Sequence, residues 1–495
     1  MTERKCGVLL HISSLPSTHG IGDLGPEAYR FADFLNQTKQ SIWQILPLNE
    51  TASTGVNSPY HSISACAGNP FLISLDKLAE DGLISKKDLQ SLPDFPAGKV
   101  DYPLVTPYKE KVLNLAYLRF KKTDEYDEFC QENKDWLEDF VLFKRLKARY
   151  PDKVWTEWPA DIRDREKNTL EKLSKELSHE VEKEKFLQYI FYRQWFSLKD
   201  YCNEKGIRIF GDMAIYVEHD SVEVWKNPHI FKLDKKKNPV CISGVPPDYF
   251  SKTGQLWGHP VYDWRILKRE KFAWWIKRME QNLKFYDLVR IDHFRGLVAY
   301  WQVRAGESTA MKGKWIKAAP VDLLNEFKKR FPKLPVIAED LGLITPDVTD
   351  IMNRFGIPGM RVLLFAFGED NPNHPYLPEN FVPNCIVYTG THDTNTVRGW
   401  FQKEASGEDK QRLFKYLGKN TTAKEISWEF IRLAMNSVTE TVIIPMQDIL
   451  GLGAEARMNR PASSEGNWLW RLRPGQITNT IADKLLEMTQ SFERG

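Results

Sequence analysis

The chain has 495 residues, with 69 lysines and arginines against 66 aspartates and glutamates, a formal net charge of +3. That near-balance leaves no basic footprint for a phosphate backbone and argues against a nucleic-acid partner, and no apolar run approaches the length of a membrane span. The length suits a large barrel with insertions, or two to three domains, and six scattered cysteines without a C-x-x-C pair argue for reduced thiols in a cytosol and against a cysteine-built zinc site.

The N-terminal MTERKCGVLLHISSLPS has Arg4 and Lys5 but only a brief apolar stretch, broken by His11 and Ser13; it reads as a first strand and not as a secretion signal. Eight short apolar runs then recur along the chain, at 6–12, 42–48, 206–212, 287–292, 335–340, 360–366, 385–391 and 441–446. None alternates strictly, as expected for parallel strands buried on both faces. Helical patterns fill most of the gaps: PEAYRFADFLNQ before the second run, VDLLNEFKKRF before the fifth, TPDVTDIMNRFG before the sixth. In the last two a proline opens or precedes the helix, and acids occupy the first turn where the helix dipole favours them. The alternation predicts an α/β fold, a (β/α)8 TIM barrel spanning 1–495; an open doubly wound sheet is the alternative. Two stretches exceed a minimal barrel. Residues 75–200 read as a helical subdomain inserted on the rim, with a solvated amphipathic helix over its Glu/Lys-rich middle, 163–185. Residues 216–270, rich in proline, glycine and aromatics, read as a loop or lid over the active site.

The candidate catalytic residues fall at the C-terminal ends of the predicted strands, the face on which barrel enzymes build their sites. Asp212 closes the third run, Asp292 the fourth and Glu339 the fifth, while His392 and Asp393 follow the seventh. Paired carboxylates across a cleft are what glycosidic-bond chemistry requires. Arg290 and Asp292 are two apart on a strand and share a face, so the guanidinium is expected to lower the pKa of Asp292 and keep it ionised as a nucleophile. Glu339 is expected to hold a proton near neutral pH, as a general acid must, while Asp340 points the other way. His392 and Asp393 are placed to bond sugar hydroxyls, and Asp212 to bind another hydroxyl or hold Arg290. A structural ion pair for Asp292 and helix-capping roles for Glu339 and Asp393 are the plainer alternatives. No second histidine is spaced along the sequence like a metal ligand of His392, so metal catalysis is not expected. Tryptophan is abundant, at 16 residues, which fits sugar stacking or simply a large aromatic core.

Taken together, these motifs resemble the amylomaltases, the 4-α-glucanotransferases of glycoside hydrolase family 77. The resemblance runs almost end to end, through HISSLPSTHGIGDLG, NSPYHSISACAGNPFLI, GVPPDYFSKTGQLWGHPVYDW and MQDILGLGAEARMNRPASSEGNWLWRL. It implies Asp292 as nucleophile, Glu339 as acid/base and Asp393 as stabiliser of the transition state. It further implies subsite roles for Tyr60, Asp212, Arg290 and His392, and places Gln255 and Trp257 in a loop covering the acceptor side. It implies maltooligosaccharides and linear α-glucans as partners, no cofactor, no metal, no C-terminal β-sandwich, and a cytoplasmic or plastid-stroma location; whether the protein is a monomer or a homodimer stays open. Many relatives carry a tyrosine just before the subsite tyrosine; here Gly55–Val56 stand in that region, so a remote glucan-contact site involving Tyr102 is expected to be weak or absent. A plain α-glucan hydrolase would use the same three acids, and a catalytically silent glycan-binding barrel is the rival from another class.

Overall fold

Twelve strands are found among the described residues, which in this computed structural model are 4–51, 57–90, 92–247, 251–461, 463 and 465–495. They are β1 (Lys5–Leu9), β2 (Ile42–Gln44), β3 (Arg208–Met213), β4 (Cys241–Val245), β5 (Gln255–Pro260), β6 (Leu288–Ile291), β7 (Ala299–Arg304), β8 (Gly313–Lys317), β9 (Val336–Ala338), β10 (Gly359–Val362), β11 (Cys385–Tyr388) and β12 (Thr441–Pro445). Eight of them form one parallel sheet in the order β10-β11-β12-β1-β2-β3-β6-β9. Each lies within or beside one of the eight apolar runs. The two edges approach one another where the Ala338 N–H donates to the Pro358 carbonyl at 2.9 Å, just ahead of β10. The sheet is therefore a nearly closed TIM barrel and not an open doubly wound sheet.

The barrel strands are buried throughout most of their length because side chains fill the interior and helices cover the exterior. Gly7 is required by this packing: a Cβ there would lie 2.3 Å from the Ile42 carbonyl oxygen of the neighbouring strand. The helices Pro26–Gln37, Pro320–Arg330 and Pro346–Phe355 occupy the three stretches whose periodicity predicts them, each with proline in its first turn. Gly356 ends the last of these in the left-handed conformation (φ 68°), where a glycine carries no steric cost.

Between β2 and β3 the chain is mostly helical, with Tyr102–Arg119, Asp124–Glu132, Lys134–Arg149, Lys167–Glu176 and Ser178–Glu204 as the long elements. The Glu/Lys-rich segment is two helices, not one: the chain breaks at Leu177, after which apolar residues such as Phe186, Ile190 and Trp195 bury the long helix. Gln188 clasps both backbone groups of Gly68 (2.8 and 2.9 Å), and Lys144 bridges Glu50 and Glu184 (2.7 Å each), fastening these helices to the segment after β2. The stretch at 216–270 is not a plain loop. It contributes β4 and β5 to a second, antiparallel sheet of order β5-β4-β7-β8, whose other two strands follow β6.

Candidate active site

Register along the barrel brings the site together. Asp212 of β3 lies directly opposite Arg290 of β6, and the pair forms a buried ion pair, Arg290 Nη1 to Asp212 Oδ2. Farther along, Ile291 of β6 lies opposite Ala338 of β9. The next residue on each chain is a carboxylate, Asp292 and Glu339, and the Glu339 N–H donates to the Ile291 carbonyl at 3.1 Å. Adjacent strands run about 4.8 Å apart, so residues at matching positions present their side chains to the same cleft.

Six of the predicted residues form one hydrogen-bonded chain. Arg290 Nη2 donates to Asp292 Oδ1 at 2.9 Å, while its Nη1 holds Asp212 Oδ2. The Tyr60 hydroxyl donates to the same Asp212 oxygen at 2.8 Å and lies 2.8 Å from His392 Nε2. His392 Nε2 is in turn 3.3 Å from Asp393 Oδ2. The Tyr60 and His392 rings stack with centroids 5.5 Å apart. Asp212 and Arg290 are almost wholly buried (side chains 0% and 4% exposed), whereas Asp292 and Asp393 keep 30% and 41% of their side chains open. The ion pair is thus enclosed, while the two outer carboxylates are partly open to solvent.

Glu339 is fixed differently. Its Oε2 accepts from the His293 N–H (2.7 Å) and its Oε1 from the Leu341 N–H (2.8 Å). His293 adopts the left-handed conformation (φ 47°), uncommon for a residue with a side chain. That turn aims its N–H at the Glu339 carboxyl, a local strain of the kind that functional sites retain. Asp340 turns away, as expected, to accept from the Met360 N–H (2.6 Å) and Arg361 (3.0 Å).

The three carboxyls are electrostatically distinct. Burial pushes Asp292 up to about 6 despite the opposing pull of Arg290. The arginine alone was expected to hold it low; desolvation outweighs it, although the group is still mostly ionised at neutral pH. Burial, against the pull of Arg290 and reinforced by the negative charge of Asp292, pushes Glu339 up to about 8, so it keeps a proton at neutral pH. Burial also disfavours the charge on Asp393, but His392, Asn459 and Arg290 overrule it and hold this carboxyl well below the usual range. One cleft thus carries a protonated acid beside two carboxylates, a set suited to protonating a leaving group, attacking a carbon and stabilising positive charge.

Gln255 and Trp257 lie on β5, in the second sheet. Trp257 Nε1 donates to Gln255 Oε1 at 3.2 Å, and the indole meets the His293 ring edge-on with centroids 4.8 Å apart. The second sheet therefore reaches the residue between the two raised carboxyls. Tyr102 packs beside a small cluster of Ile21, Val100 and Val105, while Gly55–Val56 lie outside the described residues.

The sequence profile of the 4-alpha-glucanotransferase family matches residues 10–478. The chain belongs to that family. A 4-alpha-glucanotransferase of Clostridium butyricum is 46% identical over 490 residues, covering 98% of this chain and 100% of the relative. One from a Synechocystis strain is 47% identical over 504 residues, with 100% and 99% covered. Among solved structures, the amylomaltase of Streptococcus agalactiae, in complex with acarbose, superposes with a TM-score of 0.96 at 41% identity over the whole of both chains. This protein is accordingly a 4-alpha-glucanotransferase with a TIM-barrel fold.

Four residues of this 4-alpha-glucanotransferase site carry no signal that sequence reasoning singled out. Asn459 donates from Nδ2 to Asp393 Oδ1 at 2.7 Å, and Arg457 bonds the Asp393 carbonyl at 2.9 Å. Trp468, itself left-handed (φ 62°), sets its ring 5.9 Å from Tyr60 and 6.1 Å from His392. His293 completes the set: its Nε2 is buried and finds no hydrogen-bond partner among the described residues. Asn459 and Trp468 lie inside the C-terminal motif that carried much of the family resemblance, so the motif was visible but the reason for it was not. No helix among the described residues is long and apolar enough to cross a membrane.

Proposed function

We propose that the enzyme transfers a segment of a 1,4-α-D-glucan to the 4-hydroxyl of glucose or of another 1,4-α-glucan by retaining double displacement, so disproportionating maltooligosaccharides. Asp292 attacks the anomeric carbon while Glu339 protonates the departing glycosidic oxygen, giving a covalent glucosyl-enzyme. The acceptor 4-hydroxyl then gives its proton to Glu339 and displaces Asp292. Asp393 and His392 bond the hydroxyls beside the anomeric centre, where bonds strengthen in the transition state. Arg290, Asp212 and Tyr60 hold Asp292 and line the donor side; Gln255 and Trp257 line the acceptor side. Neither a cofactor nor a metal takes part in these steps. The working location is the cytoplasm, with the plastid stroma as the alternative.

The observation that carries this reading is the matched position of Asp292 and Glu339 at the ends of neighbouring strands. That arrangement favours the separation of about 5–5.5 Å used by retaining enzymes over the wider gap that must admit a water. Incubating purified protein with maltotriose alone tests the transfer. A ladder of longer maltooligosaccharides with released glucose is expected; glucose and maltose without longer products would make the protein a hydrolase.

A further inference from the structure

Outside the catalytic group, three side chains distant in sequence meet near the cleft. His61 Nδ1 lies 2.8 Å from Glu218 Oε1, and His259 Nε2 lies 3.1 Å from the same oxygen. The three ligand-capable atoms all lie within 4.8 Å of one another. We propose that His61, Glu218 and His259 form a binding site for a divalent transition ion of the zinc class, separate from the catalytic carboxylates.

The chemistry of the set fits such an ion. Two imidazoles and one carboxylate form a nitrogen-rich ligand set that suits zinc and its neighbours and not magnesium or calcium. Metal–ligand distances near 2.0–2.2 Å in a tetrahedron separate ligand atoms by roughly 3.3 Å, close to the two contacts with Glu218. His61, the most exposed of the three at 39% against 23% for Glu218 and 12% for His259, closes the remaining gap by a small rotation. The His259 ring is already oriented: its Nδ1 faces Ser243 Oγ at 3.5 Å and its plane stacks on Tyr216 at a centroid distance of 6.1 Å. Support for the far nitrogen of a ligating histidine is what fixes its tautomer and direction. The partly exposed side leaves a fourth position for water.

The placement gives the ion a consequence. His259 sits on β5 with Gln255 and Trp257, Glu218 follows β3, and His61 adjoins Tyr60. A bound ion ties the strand bearing the acceptor-side residues to the segment bearing Tyr60.

The test begins with full-length protein stripped by a chelator and titrated with Co²⁺. Uptake of one ion per chain, with a visible d–d band and no thiolate charge-transfer band, is expected, and Zn²⁺ displaces it. His61→Ala and His259→Ala, with circular dichroism matching the parent, each abolish the band. Saturating Zn²⁺ raises Tm by about 3 °C in the parent and leaves both variants unmoved. A crystal of the unmodified protein grown with Zn²⁺ needs no variant: an anomalous peak about 2.1 Å from both ring nitrogens is expected. Failure of the parent to take up the ion, a thiolate band, binding that survives both substitutions, or an anomalous peak elsewhere overturns the proposal.

Discussion

Asp292 and Glu339 are both carboxyls under the pull of the same arginine, yet burial raises one to about 6 and the other to about 8. Arg290 bonds Asp292 directly, while Glu339 has only backbone N–H donors and is pushed further up by the charge of Asp292. The active form has Asp292 ionised and Glu339 protonated. Activity therefore rises with pH through about 6 and falls through about 8, and a pH profile of kcat/KM is expected to be a bell with those limbs. Glu339→Gln lowers kcat on maltotriose by about 10²–10⁴ and removes the alkaline limb; an unchanged alkaline limb would assign it to another group. Arg290→Met leaves Asp212 as an uncompensated buried charge, which costs about 3–5 kcal/mol of stability in a denaturant titration. It also removes the larger of the two downward pulls on Asp292, so the acid limb moves to higher pH. Acids at strand ends were legible because carboxylates are few within apolar runs. Asn459, Trp468 and His293 were not, since their roles arise from how a distant loop folds back and from a left-handed turn, neither of which leaves a spacing in the sequence.

At the scale of elements, the eight barrel strands were legible because strands buried on both faces read as unbroken apolar runs. The second sheet was not. Gly244 and Gly258 and the prolines at 246, 247 and 260 make its segment look like a loop, and β7 and β8, only partly buried, lack the unbroken apolar run of a strand covered on both faces. The single helix expected over 163–185 breaks at Leu177 for tertiary reasons: the first helix buries Leu173 alone, whereas the second is drawn along its length into the core. The sheet bears on the proposed transfer because β5 carries Trp257 against His293, the neighbour of Asp292 in the chain. Trp257→Ala is expected to raise the ratio of hydrolysis to transfer severalfold, measured as reducing-end production against oligosaccharide ladder from maltotriose. An unchanged ratio would mean that the acceptor side is kept dry by other residues.

For the molecule as a whole, the barrel links the two ends of the chain: β12 pairs with β1, and β1 with β2, so the first and last strands lie side by side in the sheet that carries Asp212 and Arg290. Gly7 is a point of close approach between β1 and β2, because an added methyl group would strike the Ile42 backbone. Gly7→Ala is expected to lower stability by roughly 1–3 kcal/mol, as overpacking does, and to lower kcat through misalignment even where the fold survives; thermal unfolding and maltotriose turnover together check this. The account as a whole rests on a covalent glucosyl-enzyme at Asp292. The most direct measurement is mass spectrometry of the Glu339→Gln protein after reaction with a maltotriosyl fluoride, a donor whose departure needs no general acid. A mass increase confined to the peptide containing Asp292 is predicted. Turnover of the fluoride with no adduct, or an adduct on the peptide containing Asp393, would contradict it.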